Sequence, residues 1–442
     1  MLRRTAEPIR SEGACEDGRK DGWAHRSFRE APSDDALGMT RLTAKLTENP
    51  MMSSAPRRAR TPPQTRGLRL AAPPQASDNV NSLQMMALCL HVALLAHGTP
   101  AIPVIDVSPL MARDSSDDAR QCVIDAIGTA CQDVGFFQVV GHSIRSELQT
   151  DLHDCARQFF ALPRSTKREI EMANAGLRWR GYFEVGEEVT SGVVDEKEGL
   201  YFAAERPESD TRPLHGPNLF PPDEVAPGLR TAVLDYMDAN AELARVLLGA
   251  IGASIGLPSD ETFARDFAEP TTLFRIFHYP PHEARWGDDT FAVGEHTDYG
   301  FITLLRQDDS GGLQAQLGSG EWVEVPPVPG AIVVNLGDAL EFCTGGLLRA
   351  TPHRVQQRRD ANAGRFSFAY FYDPTFDAEL RSRVHLLPPA LRARADERRA
   401  SAPGRWDGQR LDAFRGTYAD YLIGKVSKVF PELSKKTGVA QR

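Results

Sequence analysis

Cysteine is scarce in this 442-residue chain: there are 6, and no two of them form a C-x-x-C pair. Cys15, Cys89, Cys122, Cys131, Cys155 and Cys343 are too scattered for a disulfide-stapled module or a zinc ribbon, so reduced thiols in a cytoplasmic setting are expected. Long hydrophobic runs are also missing. The most apolar stretch, residues 83–96, is too short to span a bilayer and lies too far from Met1 to act as a signal peptide. No repeat recurs at solenoid periods. Nor is there a basic excess, since the formal charge is −9. Residues 1–99 hold 14 Lys and Arg against 10 Asp and Glu, which leaves 37 against 50 for residues 100–442. An acidic body is poorly suited to neutralising phosphates, which points away from nucleic acid and towards small molecules as partners. With 25% charged and 41% hydrophobic residues, collagen-like, coiled-coil and wholly disordered chains are excluded.

Two textures divide the chain. Residues 1–80 are rich in Arg, Pro, Ala and Ser and lack apolar periodicity, so they bury too little to offset their ordering entropy. Residues 1–98 are therefore expected to be a disordered extension or the product of an over-extended reading frame, with Met39, Met51, Met52, Met85 and Met86 as later starts. From residue 99 to 430 the pattern is that of one α+β domain. Its N-terminal α/β part (99–270) should hold strands at 102–107 and 136–140. A helix capped by Asp117 or Asp118 and another over 147–162 belong to the same part. Residues 173–225 read as irregular, and a long amphipathic helix runs from Leu229 to about Ile251. The part from 271 to 388 switches to short strands at 273–279, 301–306, 322–325, 332–335, 354–357 and 366–372, the texture of a sandwich or jelly roll. A Pro/Arg-rich loop (388–409) precedes a last helix (410–430).

The string G-E-H-T-D-Y-G-F-I-T-L-L from Gly294 carries the chemistry. In a strand, i and i+2 face the same way, so His296 and Asp298 can aim at one point. His353, in A-T-P-H-R-V, is the candidate third ligand. Two His and one carboxylate on one octahedral face leave open positions, as in non-haem Fe(II) oxygenases. Arg365 and Ser367 again use period two, placing a guanidinium and a hydroxyl on one face; Arg can grip a carboxylate bidentately. His278 and His282 have helical spacing, but Pro280 and Pro281 prevent the helix that would align them. His142 reads as structural, and Asn335, Gly337 and Asp338 as a corner, with Asn335 able to face the site. Tyr182, Phe183 and residues 195–198 lie in the irregular segment, either facing substrate or forming ordinary surface.

Together with I-P-V-I-D-V, G-F-F-Q-V-V-G-H, R-G-Y-F, F-H-Y-P-P, G-G-L-Q, V-P-P-V-P-G-A-I-V-V-N-L-G-D and R-F-S-F, in that family's order, these strings resemble the isopenicillin N synthase-like Fe(II)/2-oxoglutarate dioxygenases over about residues 100–430. The resemblance implies a double-stranded β-helix core flanked by helices and iron held by His296, Asp298 and His353. It also implies 2-oxoglutarate as cosubstrate, its distal carboxylate meeting Arg365, Ser367 and Tyr279. The implied reaction oxidises a C–H bond of a small metabolite with dioxygen and releases succinate and carbon dioxide. Two departures stand out. Phe277 occupies a position where the family often has Asn, and the interval from His353 to Arg365 looks long, suggesting an extra turn at 359–364. Relatives that oxidise without 2-oxoglutarate, and a non-catalytic metal-binding jelly roll, are the alternatives.

Overall fold

Short runs of β-branched and aromatic residues between Gly and Pro build the strands of this protein. The computed structural model describes residues 102–190, 192–258, 263–281, 291–356, 364–401, 416–430 and 435. The expectations for residues 1–98, for His282 and for most of the turn at 359–364 lie outside the described residues. In chain order the strands are β1 (Val104–Asp106), β2 (Phe136–Val140), β3 (Gly181–Phe183), β4 (Val189–Thr190), β5 (Val193–Val194), β6 (Glu198–Ala203) and β7 (Pro270–Tyr279). They continue with β8 (Phe291–His296), β9 (Ile302–Gln307), β10 (Leu313–Gln316), β11 (Trp322–Glu324), β12 (Ile332–Leu336), β13 (His353–Gln356) and β14 (Arg365–Thr375). The longer helices are α1 (Asp117–Asp133), α2 (Ser146–Phe160), α3 (Leu229–Ser254), α4 (Pro389–Ser401) and α5 (Tyr418–Val429).

Eight strands form one sheet in the order β1-β2-β12-β9-β14-β7-β6-β3, and four form a second in the order β11-β10-β13-β8. The first is parallel at β1–β2 and antiparallel elsewhere. β12 is buried at every position, which explains its unbroken I-V-V-N-L run: a strand covered on both faces loses its polar alternation. On one side, α3 packs against β9 and β14 and against α1 and α2. Its stripe of Leu229, Val233, Tyr236, Leu243, Leu247 and Ile251 is core, as expected.

Several expectations need correction. Residues 173–225 are not simply irregular, since β3 and β6 continue the large sheet through β7. Their charged residues hid this, because Lys197 and Glu198 are buried as ion pairs instead of facing solvent. Residues 389–401 are helical, not loop; Ala, Arg and Glu favour helix, and Pro389 is tolerated in the first turn. This helix docks by Arg398, which donates to Leu347 O at 2.6 Å, and by Arg394 against Asp133 at 2.7 Å. Helix α1 is capped by Ser116, whose hydroxyl accepts from Ala119 N, while Asp117 and Asp118 sit in the first turn where the helix dipole favours acids. Helix α5 begins at Tyr418, where Thr417 and Asp420 form a reciprocal capping box.

Candidate active site

The register of β8 and β13 sets His296 directly opposite His353. Opposed residues of an antiparallel pair project to one face, and the two ring centroids are 4.2 Å apart. The expected strand geometry for Asp298 is not observed. β8 ends at His296, and Asp298 lies in the turn that follows. That turn lies so close to Asp373 that a Cβ on Gly300 would fall 1.5 Å from its Oδ1. Glycine alone fits. The turn brings Asp298 Oδ1 to 3.9 Å from His296 Nε2 and 3.8 Å from His353 Nε2, so all three residues the sequence singled out present ligand atoms to one point.

The surrounding bonds set the aim and protonation of each group. His296 Nδ1 donates to Gly294 O at 2.9 Å, and His353 Nδ1 to Thr351 O at 3.0 Å. A carbonyl only accepts, so the proton sits on Nδ1 and each Nε2 keeps its lone pair for a cation. Burial, reinforced by the neighbouring His353, pushes the His296 imidazole down to about 3, which favours its neutral form. Burial acts to raise the Asp298 carboxyl, yet His353, His296 and bonds from Thr303 and Asn335 outweigh it and hold the group below its usual range.

Those last two residues also orient the acid. Thr303 Oγ1 donates to Asp298 Oδ2, and Asn335 Nδ2 donates to the same oxygen at 2.6 Å, which leaves Oδ1 facing the histidines. Thr303 and Asn335 are themselves register partners on β9 and β12, so the large sheet holds the acid of a ligand set whose histidines belong to the small one. Asn335 was expected at a corner or facing the site; it holds the acid. Thr303 was missed, and its signal was a polar residue within an otherwise apolar F-I-T-L-L strand.

Arg365 and Ser367 both line the same recess, with Tyr279 opposite Arg365 in the β7–β14 register. Arg365 is 5% exposed; its guanidinium lies 4.8 Å over the Tyr279 ring and donates through Nε to Gly311 O at 3.0 Å. Its Nη1 and Nη2 have no hydrogen-bond partner among the described residues. Two buried donors left open are costly, and a planar carboxylate is the group that satisfies both. Tyr279 Oη lies 3.4 Å from Ser367 Oγ beside them. Phe277, in the departure from the family's Asn, contributes a ring to the wall and no polar contact there.

Other singled-out residues have different duties. His278 Nδ1 bonds Glu198 Oε1 at 2.8 Å and its ring stacks on Phe366, away from the ligand set. His142 Nε2 bonds Gly330 O at 2.9 Å, consistent with a structural role. Tyr182 donates to Glu198 Oε2 at 2.5 Å and Phe183 packs in the core. Lys197, Glu188 and Arg275 line the recess. Glu188 and Arg275 were not expected at the site; the signal for Arg275 was a lone charge inside L-F-R-I-F.

Comparison with known proteins agrees with this geometry. Residues 102–223 match the family profile described as non-haem dioxygenase in morphine synthesis N-terminal, and residues 270–374 match the 2OG-Fe(II) oxygenase superfamily. The chain is 37% identical over 357 residues, 75% of its length and 95% of the relative's, to the "Probable iron/ascorbate oxidoreductase" of Dictyostelium discoideum. It is 36% identical over 294 residues, 63% of its length and 87% of the relative's, to the 2-oxoglutarate-dependent dioxygenase citB of Monascus ruber. A full-length Neurospora crassa protein, crystallised in complex with alpha-KG, shares the fold at a TM-score of 0.60 and 24% identity, over 74% of this chain and 96% of that one. Profile, relatives, and a His-Asp-His set in one recess with a buried, part-open guanidinium agree: this chain belongs to the 2OG-Fe(II) oxygenase superfamily, as an iron- and 2-oxoglutarate-dependent dioxygenase.

Proposed function

We propose that His296, Asp298 and His353 hold the iron, that Arg365 with Ser367 and Tyr279 receives the distal carboxylate of 2-oxoglutarate, and that the rest of the recess presents one C–H bond of a small metabolite. The observation that carries this is the convergence of three ligand atoms in a recess that also holds a buried guanidinium with two open nitrogens. Iron with 2-oxoglutarate and dioxygen supplies the oxidising power, releasing succinate and carbon dioxide. The protein's own part is positional. The Nδ1 bonds hold both rings in aim, Thr303 and Asn335 fix the acid, and Arg365 balances the cosubstrate's charge. Val293, Leu305, Leu313 and Val355 keep the walls apolar, and Tyr418, Leu422 and Val429 of α5 add another wall.

The two sheets facing this recess support a double-stranded β-helix reading of the core, and the entry of β1, β2, β3 and β6 into the large sheet supports one catalytic domain over 99–430. No helix among the described residues is long and apolar enough to cross a membrane. The buried free thiols Cys131 and Cys343 support a cytoplasmic setting.

The test is succinate formation and oxygen uptake by the iron-loaded protein across a panel of small metabolites. The expected result is substrate-stimulated succinate matched to oxygen uptake. Oxygen uptake without succinate would favour oxidation independent of 2-oxoglutarate. Iron binding with neither would leave a metal-binding jelly roll.

A further inference from the structure

Away from the ligand set and the clamp, the recess has a second polar wall. Glu188 precedes β4, Lys197 precedes β6 and Arg275 lies on β7; all three line the recess. Lys197 is 1% exposed and pairs with Glu188 Oε2 at 2.9 Å and with Asp195, which accepts from Thr190 Oγ1 at 2.6 Å. Arg275 lies 4.1 Å from the Tyr201 ring and 5.0 Å from the Phe371 ring, so its plane is held by aromatic contacts much as Arg365 is by Tyr279. Its place on β7 is four residues from Tyr279, about 13 Å along the strand, with Phe277 between them.

Two features mark this wall as a recognition surface. The first is charge: two cations face two carboxylates, so the cluster is neutral before anything binds. A substrate with a net charge would leave one buried charge unbalanced, which a low-dielectric site strongly disfavours. The second is an imperfect contact. Arg275 Nη1 reaches Glu188 Oε1 at 3.3 Å, longer than either Lys197 pairing, and the buried Arg275 Nε has no hydrogen-bond partner among the described residues. Glu188, 2% exposed, is thus held closely by Lys197 through Oε2 and only loosely by Arg275 through Oε1, at a wall of the recess.

From this we infer that the prime substrate is a free amino acid, its carboxylate taken by Arg275 and its ammonium by Glu188. A zwitterion parts the weak Arg275–Glu188 contact, gives each group a charged partner and keeps the wall neutral. Lys197 and Asp195 then act as positioning residues that keep Glu188 ionised and in place. The inference rests on the dioxygenase reading, which makes the recess the substrate site.

The experiment is anaerobic calorimetry on the protein loaded with ferrous iron and 2-oxoglutarate, titrated singly with the common L-amino acids and with the N-acetyl and methyl ester form of each. The expected result is that at least one free amino acid binds and that blocking either end weakens it about 10- to 100-fold, the range for losing one charged hydrogen-bonded contact. Arg275→Gln should remove the discrimination against the ester, and Glu188→Gln the discrimination against the acetylated amine. Binding by none of the amino acids, or equal binding of free and blocked forms, overturns the inference. If either variant fails to fold, the comparison of free and blocked forms on the wild-type protein decides the matter. Failure of the dioxygenase reading would show separately, as no uptake of iron and 2-oxoglutarate in the loading titrations.

Discussion

Replacing Arg365 with Met separates a functional arginine from a structural one, because the structure gives opposite expectations for stability and for ligand binding. In the protein without cosubstrate, the change removes the Nε bond to Gly311 O and the stack on Tyr279. These are worth about 0.5–1.5 and roughly 0.5–2 kcal/mol. It also removes two buried donors that have no partner, each costing about 1–3 kcal/mol. On these figures the relief exceeds the loss or falls short of it by at most about 1.5 kcal/mol, so the variant should be close to the wild type in stability or above it, and Met fills much of the volume without a polar head. Affinity for 2-oxoglutarate behaves differently. Loss of the charged contact should cost about 1.5–3 kcal/mol, or roughly 10- to 150-fold in Kd. The assay is thermal unfolding of both proteins with and without 2-oxoglutarate, paired with anaerobic calorimetry. A variant that lost several kcal/mol of stability yet bound 2-oxoglutarate as before would refute the reasoning, since its guanidinium would then be serving the fold.

Three further outcomes follow from the same geometry. His296→Ala and Asp298→Ala should each abolish stoichiometric iron binding together with turnover, read by metal analysis of the purified proteins; full iron content in either would remove that residue from the ligand set. Thr303→Val, nearly isosteric, should keep the fold but free Asp298 Oδ2 and weaken iron binding about 10- to 100-fold. Unchanged iron affinity would show that Asn335 alone suffices. Burial pushes the Asp373 carboxyl up to about 7, although Tyr418 and Phe301 N donate to it. Between the ordinary carboxylate range and about 7 the folded protein therefore holds a proton that the unfolded chain has lost, so stability falls as pH rises through that window, by up to ~1.4 kcal/mol per pH unit. Asp373→Asn should flatten this slope in unfolding midpoints measured from pH 4 to 8; parallel curves for the two proteins would contradict it.

Much of this protein was written in local pattern. β2 and the start of α3 fall where periodicity placed them, because a strand or helix with one apolar face needs only its neighbours in sequence to declare its period. The residue types suited to a cation and to a carboxylate were equally plain, since few side chains can bind the one or fork the other. Position was another matter. His296 faces His353 because β8 and β13 pair in one particular register, and Asp298 meets them from a turn that no strand periodicity describes. The strands of residues 181–203 were hidden because Lys197, Glu188 and Glu198 look solvent-seeking until the fold buries them as ion pairs with one another, with Lys167 and with Arg275. Sequence by itself determined which chemistries were present and which elements could form. Tertiary structure decided which of those groups share a point in space, because distance between residues far apart in the chain is set by strand pairing and packing, which single-residue preferences do not encode.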